Sequence, residues 1–315
     1  MLLEKATPET ARERDRATHA AWGGPLPVER YMAAEARIRA HPWSRAASAM
    51  WLLRSDRGEA LCSCETYRMA SLLRDGTAVP GHTYGIASVF TDADRRGHGH
   101  ATELLDRLAL ALHEEDPEAQ ALVLYSDVVP RVYERAGFTA RPALDLVFAA
   151  LPGDPGEGVD EWFTEARAAQ ALDRLPPPEG RFAIRPEPDQ VDWHLERERI
   201  YAEVLGRARP PTWGARRGGG AALWTADPRS GQLTLLLLHA PERADAEALL
   251  ASARRTAFAA GLARVVLWRT PADLSWPQAG LEDRALRLDS VPMIRALDPR
   301  VRPEDWTWIP RLLWV

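Results

Sequence analysis

The chain has 315 residues, is 46% hydrophobic, and carries a formal net charge of −5 with an isoelectric point near 6.0. That length can bury a full core and suits two domains better than one, while the acidic balance gives no support to a nucleic-acid or anionic-membrane surface. No apolar run is long enough to span a bilayer and no signal-peptide core follows Met1, so a cytoplasmic protein is expected.

In chain order, the acid- and arginine-rich segments Thr7 to Ala20 and Val28 to His41 read as helices that would cover a sheet. A hairpin follows, with strands from Ala49 and from Glu59 joined by a turn around Asp56 to Gly58. Cys62 and Cys64 share one strand face at i, i+2, too poorly placed for an ordinary disulfide with each other. With no further Cys or His at ligand spacing they read as small core residues, and no metal is expected. Glu65 falls on the opposite face, together with Tyr67.

Tyr84 to Thr91 reads as a strand, followed at once by Asp94, Arg95, Arg96, Gly97, His98, Gly99 and His100. Glycines at 97 and 99 let the backbone turn tightly and present its N–H groups closely. Beyond them Ala101, Leu104, Leu105, Leu108, Ala111 and Leu112 recur at the spacing of one buried helix face. Strand, glycine turn and helix together make an anion site, because unpaired N–H groups and the positive end of the helix dipole point out of the turn. It is not a nucleotide P-loop, which needs Gly-Lys-Ser/Thr where His100 and Ala101 stand, nor a dinucleotide loop, which needs glycine where Thr102 stands. On these residues alone, a surface turn that simply required glycine stays open.

Gln120 to Val129 reads as a buried strand, and Pro130 to Phe138 as a short helix that opens on Pro130 and closes at Gly137. The run LPGDPGEG after Ala150 marks a boundary, Val159 to Leu175 a helix, and PPPEG a second break. The expected organisation is a first domain over 1–150, a linker over 151–180 and a second domain over 181–315. The second contains a helix at Val191 to Leu205, strands at Ala221 to Ala226 and Leu233 to His239, a helix at Ala244 to Ala260 and a strand at Arg264 to Arg269. Ala215 to Ala221 (ARRGGGA) follows two prolines and leads into a strand, so it reads as a flexible loop and not as a second phosphate cradle. Trp224, Trp268, Trp306, Trp308 and Trp314 are expected to pack the second core. Trp193, His194, Glu196, Glu198 and Tyr201 share one helix, whose alternatives are a pocket wall or solvated charge.

The stretch Asp94 to Gly99 resembles the coenzyme A loop of the GCN5-related N-acetyltransferases (GNATs), although Asp94 stands where that pattern has Gln or Arg. The strand at Gln120 and the short helix with Tyr133 four residues before Gly137 continue in the family's order. A nearer resemblance is to fungal lysine N-acetyltransferases, carried by SCETYR (Ser63 to Arg68), SVFTDADRRGHG (Ser88 to Gly99), VLYSDVVPRVYERAGF (Val123 to Phe138), DWHLERERIYAEVLG (Asp192 to Gly206) and the closing DWTWIPRLLWV. It implies a mixed-sheet α/β GNAT fold followed by a second, degenerate GNAT-like half that lacks the glycine loop and shapes the acceptor pocket.

The resemblance also implies acetyl-CoA as acyl donor, held at Val89, Phe90, Thr91, Arg95, Arg96, Gly97, His98, Gly99, His100 and Ala101. Backbone N–H groups at Val89 to Thr91 would polarise the thioester carbonyl, and Tyr133 would protonate the departing sulfur. An acceptor amine with an ordinary pKa of about 10.4 must lose a proton first. Glu65 is the first candidate for that base, with Tyr67 and Asp127 beside the acceptor and His82, His98 and Asp127 in reserve; an ordinary outward-facing strand glutamate is the alternative. The function implied is acetyl transfer to the amine of a small molecule, lysine or a lysine-like compound, and the competing class is a non-catalytic acyl-CoA sensor.

Overall fold

The computed structural model describes residues 1–176, 178, 180–270 and 280–315. The first half runs β1 (Leu2–Lys5), α1 (Pro8–Trp22), α2 (Val28–Arg39), α3 (Pro42–Ala47), β2 (Ser48–Arg54), β3 (Ala60–Asp75), β4 (Thr77–Phe90), α4 (His100–Glu115), β5 (Ala119–Ser126), α5 (Arg131–Glu134), β6 (Thr139–Ala140) and β7 (Leu144–Ala149). The second runs β8 (Glu161–Phe163), β9 (Phe182–Ile184), α6 (Pro188–Leu205), β10 (Gly214–Arg217), β11 (Gly220–Asp227), β12 (Gln232–His239), α7 (Arg243–Ala259), β13 (Arg264–Arg269), β14 (Leu281–Leu286) and β15 (Val291–Ala296). Pro177 and Glu179, from the expected break at PPPEG, lie outside the described residues.

Two mixed sheets result. The first has the order β1-β2-β3-β4-β5-β15-β6, with β9 also on β3; the second has the order β14-β7-β13-β12-β11-β10-β8. In the first, β4 and β5 are parallel and joined through α4; in the second, β12 and β13 are parallel and joined through α7. The second half therefore repeats the strand-helix-strand unit of the first. Its connection lacks the glycine turn: Glu242 caps α7 in an extended conformation, whereas Gly99 caps α4 with φ +78°.

The sheets exchange strands across the boundary expected after Ala150. β7 leaves the first half to pair with β13 and β14, and β15 returns from the second half to lie between β5 and β6. Helix α6 binds the two sheets together. Its Trp193, Ile200 and Tyr201 pack on the first core, and its Val191 and Leu195 on the second.

Several segments depart from the sequence expectation. Val159 to Leu175 is strand β8 followed by a 3-10 segment at Glu165–Arg174, not an α-helix. The strand expected to reach Val129 stops at Ser126, where the Ser126 hydroxyl donates to the Val128 carbonyl at 2.7 Å and turns the chain. Ala215 to Ala221 forms the tight β10-β11 hairpin, with Gly218 at φ +54°, and not a flexible loop. Trp306 is fully buried in the first core, beside Phe182 and Tyr125, not in the second. Among the described residues, no helix is long and apolar enough to cross a membrane.

Candidate active site

The geometry of the site begins with a defect in the first sheet. Across β3 and β4 the register slips, so that Ser63 faces Phe90 while Glu65 faces Ala87, and β4 carries one extra residue. Ser88 takes up the excess at φ +53°, a conformation uncommon outside glycine. On the other side of β4, pairing to β5 runs only from His82 to Ile86. Beyond Ile86 the two parallel strands part, and the end of β4, Ala87 to Phe90, borders an opening instead of a neighbour. Such a bulge next to a parted ladder re-aims backbone donors toward a ligand.

The glycine turn lies directly beyond. Gly97 and Gly99 have φ +82° and +78°, and a Cβ built on either would meet nothing within 4 Å. Open space and left-handed backbone together leave room for a bulky anion. No side chain caps the start of α4, so its first N–H groups face that space. Arg96 donates through Nε to the Thr91 carbonyl at 3.0 Å, bracing the loop, and Arg95 reaches Glu59 at 3.3 Å. His98 and His100 stand 5.9 Å apart at the turn. The chemistry of this donor set fits a pyrophosphate.

The opening leads into a cavity of about 330 Å³ between the first sheet, α2 and α6. Ser88, Val89, Glu65, Tyr67, Asp127 and Tyr133 all line it, with Trp22, Glu35, Tyr125, Trp193, Arg197 and Tyr201. Tyr133 is half-buried, and burial first, then the Asp127 charge, pushes its phenol above the ordinary range. It stays protonated at neutral pH, as a proton donor must. Among the described residues, the Tyr125 hydroxyl and the Trp193 indole N–H are buried without a hydrogen-bond partner, which leaves two polar groups for a ligand to satisfy.

The carboxylates divide into two kinds. Glu65 is buried and committed: Oε1 takes Arg14 Nη1 at 2.7 Å and Oε2 takes the Tyr67 hydroxyl at 3.1 Å. It is thus not the outward-facing strand residue that its charge alone suggests. Glu35 makes no direct ion pair among the described residues, although the charges of Arg197 and Arg39 reach it; it accepts a hydrogen bond from the Tyr201 hydroxyl. Desolvation raises its pKa, the Tyr201 bond opposes this, and the Glu65 charge adds to the rise. Asp127 is exposed at the rim and holds the Ser290 N–H and hydroxyl at 3.0 and 2.8 Å.

His82 lies away from this opening. It sits where the β4-β5 ladder begins, against Asp116 at 2.8 Å and Arg68 at 3.0 Å, and does not line the cavity. His98 stays with the glycine turn. Cys62 and Cys64 are buried free thiols under α4, on the sheet face opposite Glu65. The helix residues diverge: Trp193 and Tyr201 line the cavity, His194 and Glu198 face a second one, and Glu196 pairs with Arg199. Glu35 and Arg14 are absent from the sequence-based candidates. A signal for Glu35 exists, since it stands among Tyr31, Ala34 and Ile38 on the buried face of α2, where a carboxylate is out of place.

Residues 164–314 match the family described as the LYC1 GNAT-like C-terminal domain. The chain has the GNAT fold. A curated lysine acetyltransferase of Yarrowia lipolytica (strain CLIB 122 / E 150) is 22% identical over 329 aligned positions, covering 85% of this chain and 84% of that protein. A conserved Enterococcus faecalis V583 protein of unknown function, described as a probable N-acyltransferase, superposes at TM-score 0.61 and 12% identity, covering 94% of this chain and 72% of its own. A GCN5-related N-acetyltransferase of Kribbella flavida superposes at TM-score 0.56 and 17% identity, covering 94% and 71%.

Proposed function

We propose that this GNAT-fold chain is an acetyl-CoA-dependent N-acetyltransferase that acts on the side-chain amine of a small molecule, lysine or a lysine-like compound. The observation that carries the reading is the convergence in one cavity of a bulged, parted β4, the Tyr133 phenol and the carboxylates of Glu35, Glu65 and Asp127, beside a glycine turn. The lysine acetyltransferase named above supports the choice of acceptor.

In this reading the amides of Gly97 to Ala101 hold the pyrophosphate of the donor, with Arg95, Arg96, His98 and His100 around it. Backbone N–H groups at Val89, Phe90 and Thr91 polarise the thioester carbonyl. The acceptor amine enters as an ammonium, attracted by Glu35 and Glu65, with Tyr67 and Asp127 beside it. Glu35 then takes its proton, directly or through one water, because among the described residues no arginine is hydrogen-bonded to its carboxylate and burial raises its pKa, which makes it a stronger base than an ordinary carboxylate. Glu65 shifts from base to scaffold: with Arg14 it fixes the bulge, since Arg14 Nη2 also donates to the Ser88 carbonyl at 2.7 Å. Tyr133 returns a proton to the departing thiolate.

Release of free thiol from acetyl-CoA across a panel of amines tests this. Turnover with an amino acid bearing a distal amine supports transfer. Binding of acetyl-CoA without turnover on any amine would replace it with the acyl-CoA sensor.

A further inference from the structure

Behind the amine cavity lies a second one of about 340 Å³, walled by α6, β11, β12 and the C-terminal segment. Arg197, Tyr201, Arg229 and Trp314 line both, so the two cavities are neighbours that share these side chains. The guanidiniums there alternate with rings. Arg229 lies 4.0 Å from the Tyr201 ring, Arg197 lies 5.3 Å from Tyr201 and 4.7 Å from Trp314, and Arg311 lies 3.6 Å from Trp314 and 4.7 Å from Trp268.

Stacking of this kind uses the faces of the guanidiniums and leaves their N–H edges free. Among the described residues, none of these three side chains has a carboxylate partner, and Nη1 of Arg311 is buried with no acceptor at all. Burial, and then the charges of Arg197 and Arg287, work against the charge on Arg311. Most of the acids in the same cavity are already engaged. Glu198 is held by Arg209, Thr225 and the Ala226 N–H, Asp145 by Arg287 at 2.6 Å, and Asp227 by Ser230. Asp289 is exposed. The charge of Asp227 reaches Arg311 but only partly offsets its burial and its neighbouring arginines. Guanidiniums with no carboxylate paired to them form a binding site for an anion, and planar forked donors suit a carboxylate.

We propose that Arg311 and Arg197, with Arg229 at the mouth, bind the carboxylate of the acceptor, so that the substrate is read at both ends: its carboxylate in the second cavity and its distal amine at Glu35 in the first. This rests on the transferase reading above. Tyr201 couples the two ends, because its ring carries Arg197 and Arg229 while its hydroxyl donates to Glu35. The acceptor class is therefore an amino acid with a side-chain amine, and a simple diamine lacks half of what the site recognises.

The test compares L-lysine with 1,5-diaminopentane, the same chain without the carboxylate. We expect kcat/KM for lysine to exceed that for the diamine by about 10–100-fold, as charge-assisted hydrogen bonds to a carboxylate imply. In Arg311→Leu and Arg197→Leu the loss should be at least ~10-fold larger for lysine than for the diamine, and should lie mainly in KM. Equal use of both substrates by the parent, or equal losses in the variants, overturns the proposal while leaving the transferase reading intact. L-Norleucine, which has the carboxylate but no distal amine, supplies a readout independent of transfer. It should quench the fluorescence of Trp268 or Trp314, compete with lysine, and lose affinity in both variants. Norleucine binding without turnover of any amine keeps the carboxylate site and sinks the transferase reading. Norleucine that binds without competing assigns the site to a separate carboxylate effector and overturns the proposal.

Discussion

Arg14 and Glu65 form an ion pair at 2.7 Å in which the side chains are 5% and 9% exposed, between α1 and the bulged pair β3-β4. Removing one partner strands the other charge away from water, which typically costs about 3–5 kcal/mol. Arg14→Met should show a loss of that order in denaturant unfolding. The double variant Arg14→Met/Glu65→Leu should recover much of it. Equal destabilisation in single and double variants would show that the pair is not coupled.

Two carboxylates compete for the role of base, and pH dependence separates them. Glu35 titrates above its ordinary value of 4.5 because burial, and then the charge of Glu65, disfavour its ionised form. Activity should therefore climb as pH rises through that elevated pKa. Glu35→Gln should erase the limb and lower kcat by roughly 10²-fold or more. Stability carries the opposite sign: with the folded pKa above the unfolded one, the Glu35 contribution is present below pH 4.5 and is lost as pH rises through the folded value. Glu65→Gln should change stability and move the limb to lower pH without erasing it, because the Glu65 charge contributes to the elevated Glu35 pKa; a limb erased by Glu65→Gln and kept in Glu35→Gln instead restores Glu65 as the base.

Tyr133→Phe keeps the ring and its packing against Phe138 and removes only the hydroxyl. If that hydroxyl protonates the thiolate, kcat should fall by about 10²-fold while affinity for acetyl-CoA, followed by calorimetry, holds. Full turnover in the variant would hand the proton to water.

Gly99→Val combines two effects, since φ is +78° there and the space a side chain would enter is the space left open beside the turn. Affinity for acetyl-CoA should drop well beyond what the loss of stability explains. Gly58, at φ +82° in the β2-β3 turn and equally open, is the control: Gly58→Val should carry a similar backbone strain and bind the donor normally.

His194 is buried on α6, its Nε2 2.9 Å from the Leu312 carbonyl, and burial pulls its pKa down to about 3 from 6.5. The unfolded chain takes up a proton first as pH falls, so stability should decline from pH 6.5 toward 3. Denaturation midpoints of the parent and His194→Gln across that window check this, and the variant should show the shallower decline.

The parts of the molecule that sequence made legible are those whose evidence is local. Leu104, Leu105, Leu108 and Leu112 repeat at helical spacing, and α4 buries that face. Alternation separates Cys62 and Cys64 from Glu65 and Tyr67: the thiols lie in the core under α4, whereas Tyr67 lies in the other core and both it and Glu65 line the cavity. Where two periods fit equally, the reading failed: Ala168 and Ala171 are buried three residues apart, as a 3-10 segment requires, yet that spacing also suits an α-helix. The Arg14 to Glu65 pair spans 51 positions and leaves no periodic trace. β15 was hidden for a like reason, as a six-residue run with Pro292 that gains its identity only from β5 and β6.

That exchanged strand also sets a schedule for synthesis. When Ala149 leaves the ribosome, β5 and β6 exist but the strand that belongs between them, Val291–Ala296, is still to be translated. At about 5–20 residues per second the gap lasts on the order of ten seconds, during which β5 shows an unpaired edge. The first sheet thus closes after the second half has been made, although it begins first. A gene cut after residue 150 would leave that edge bare for good, and each half should aggregate when made alone and recover when the two are made together.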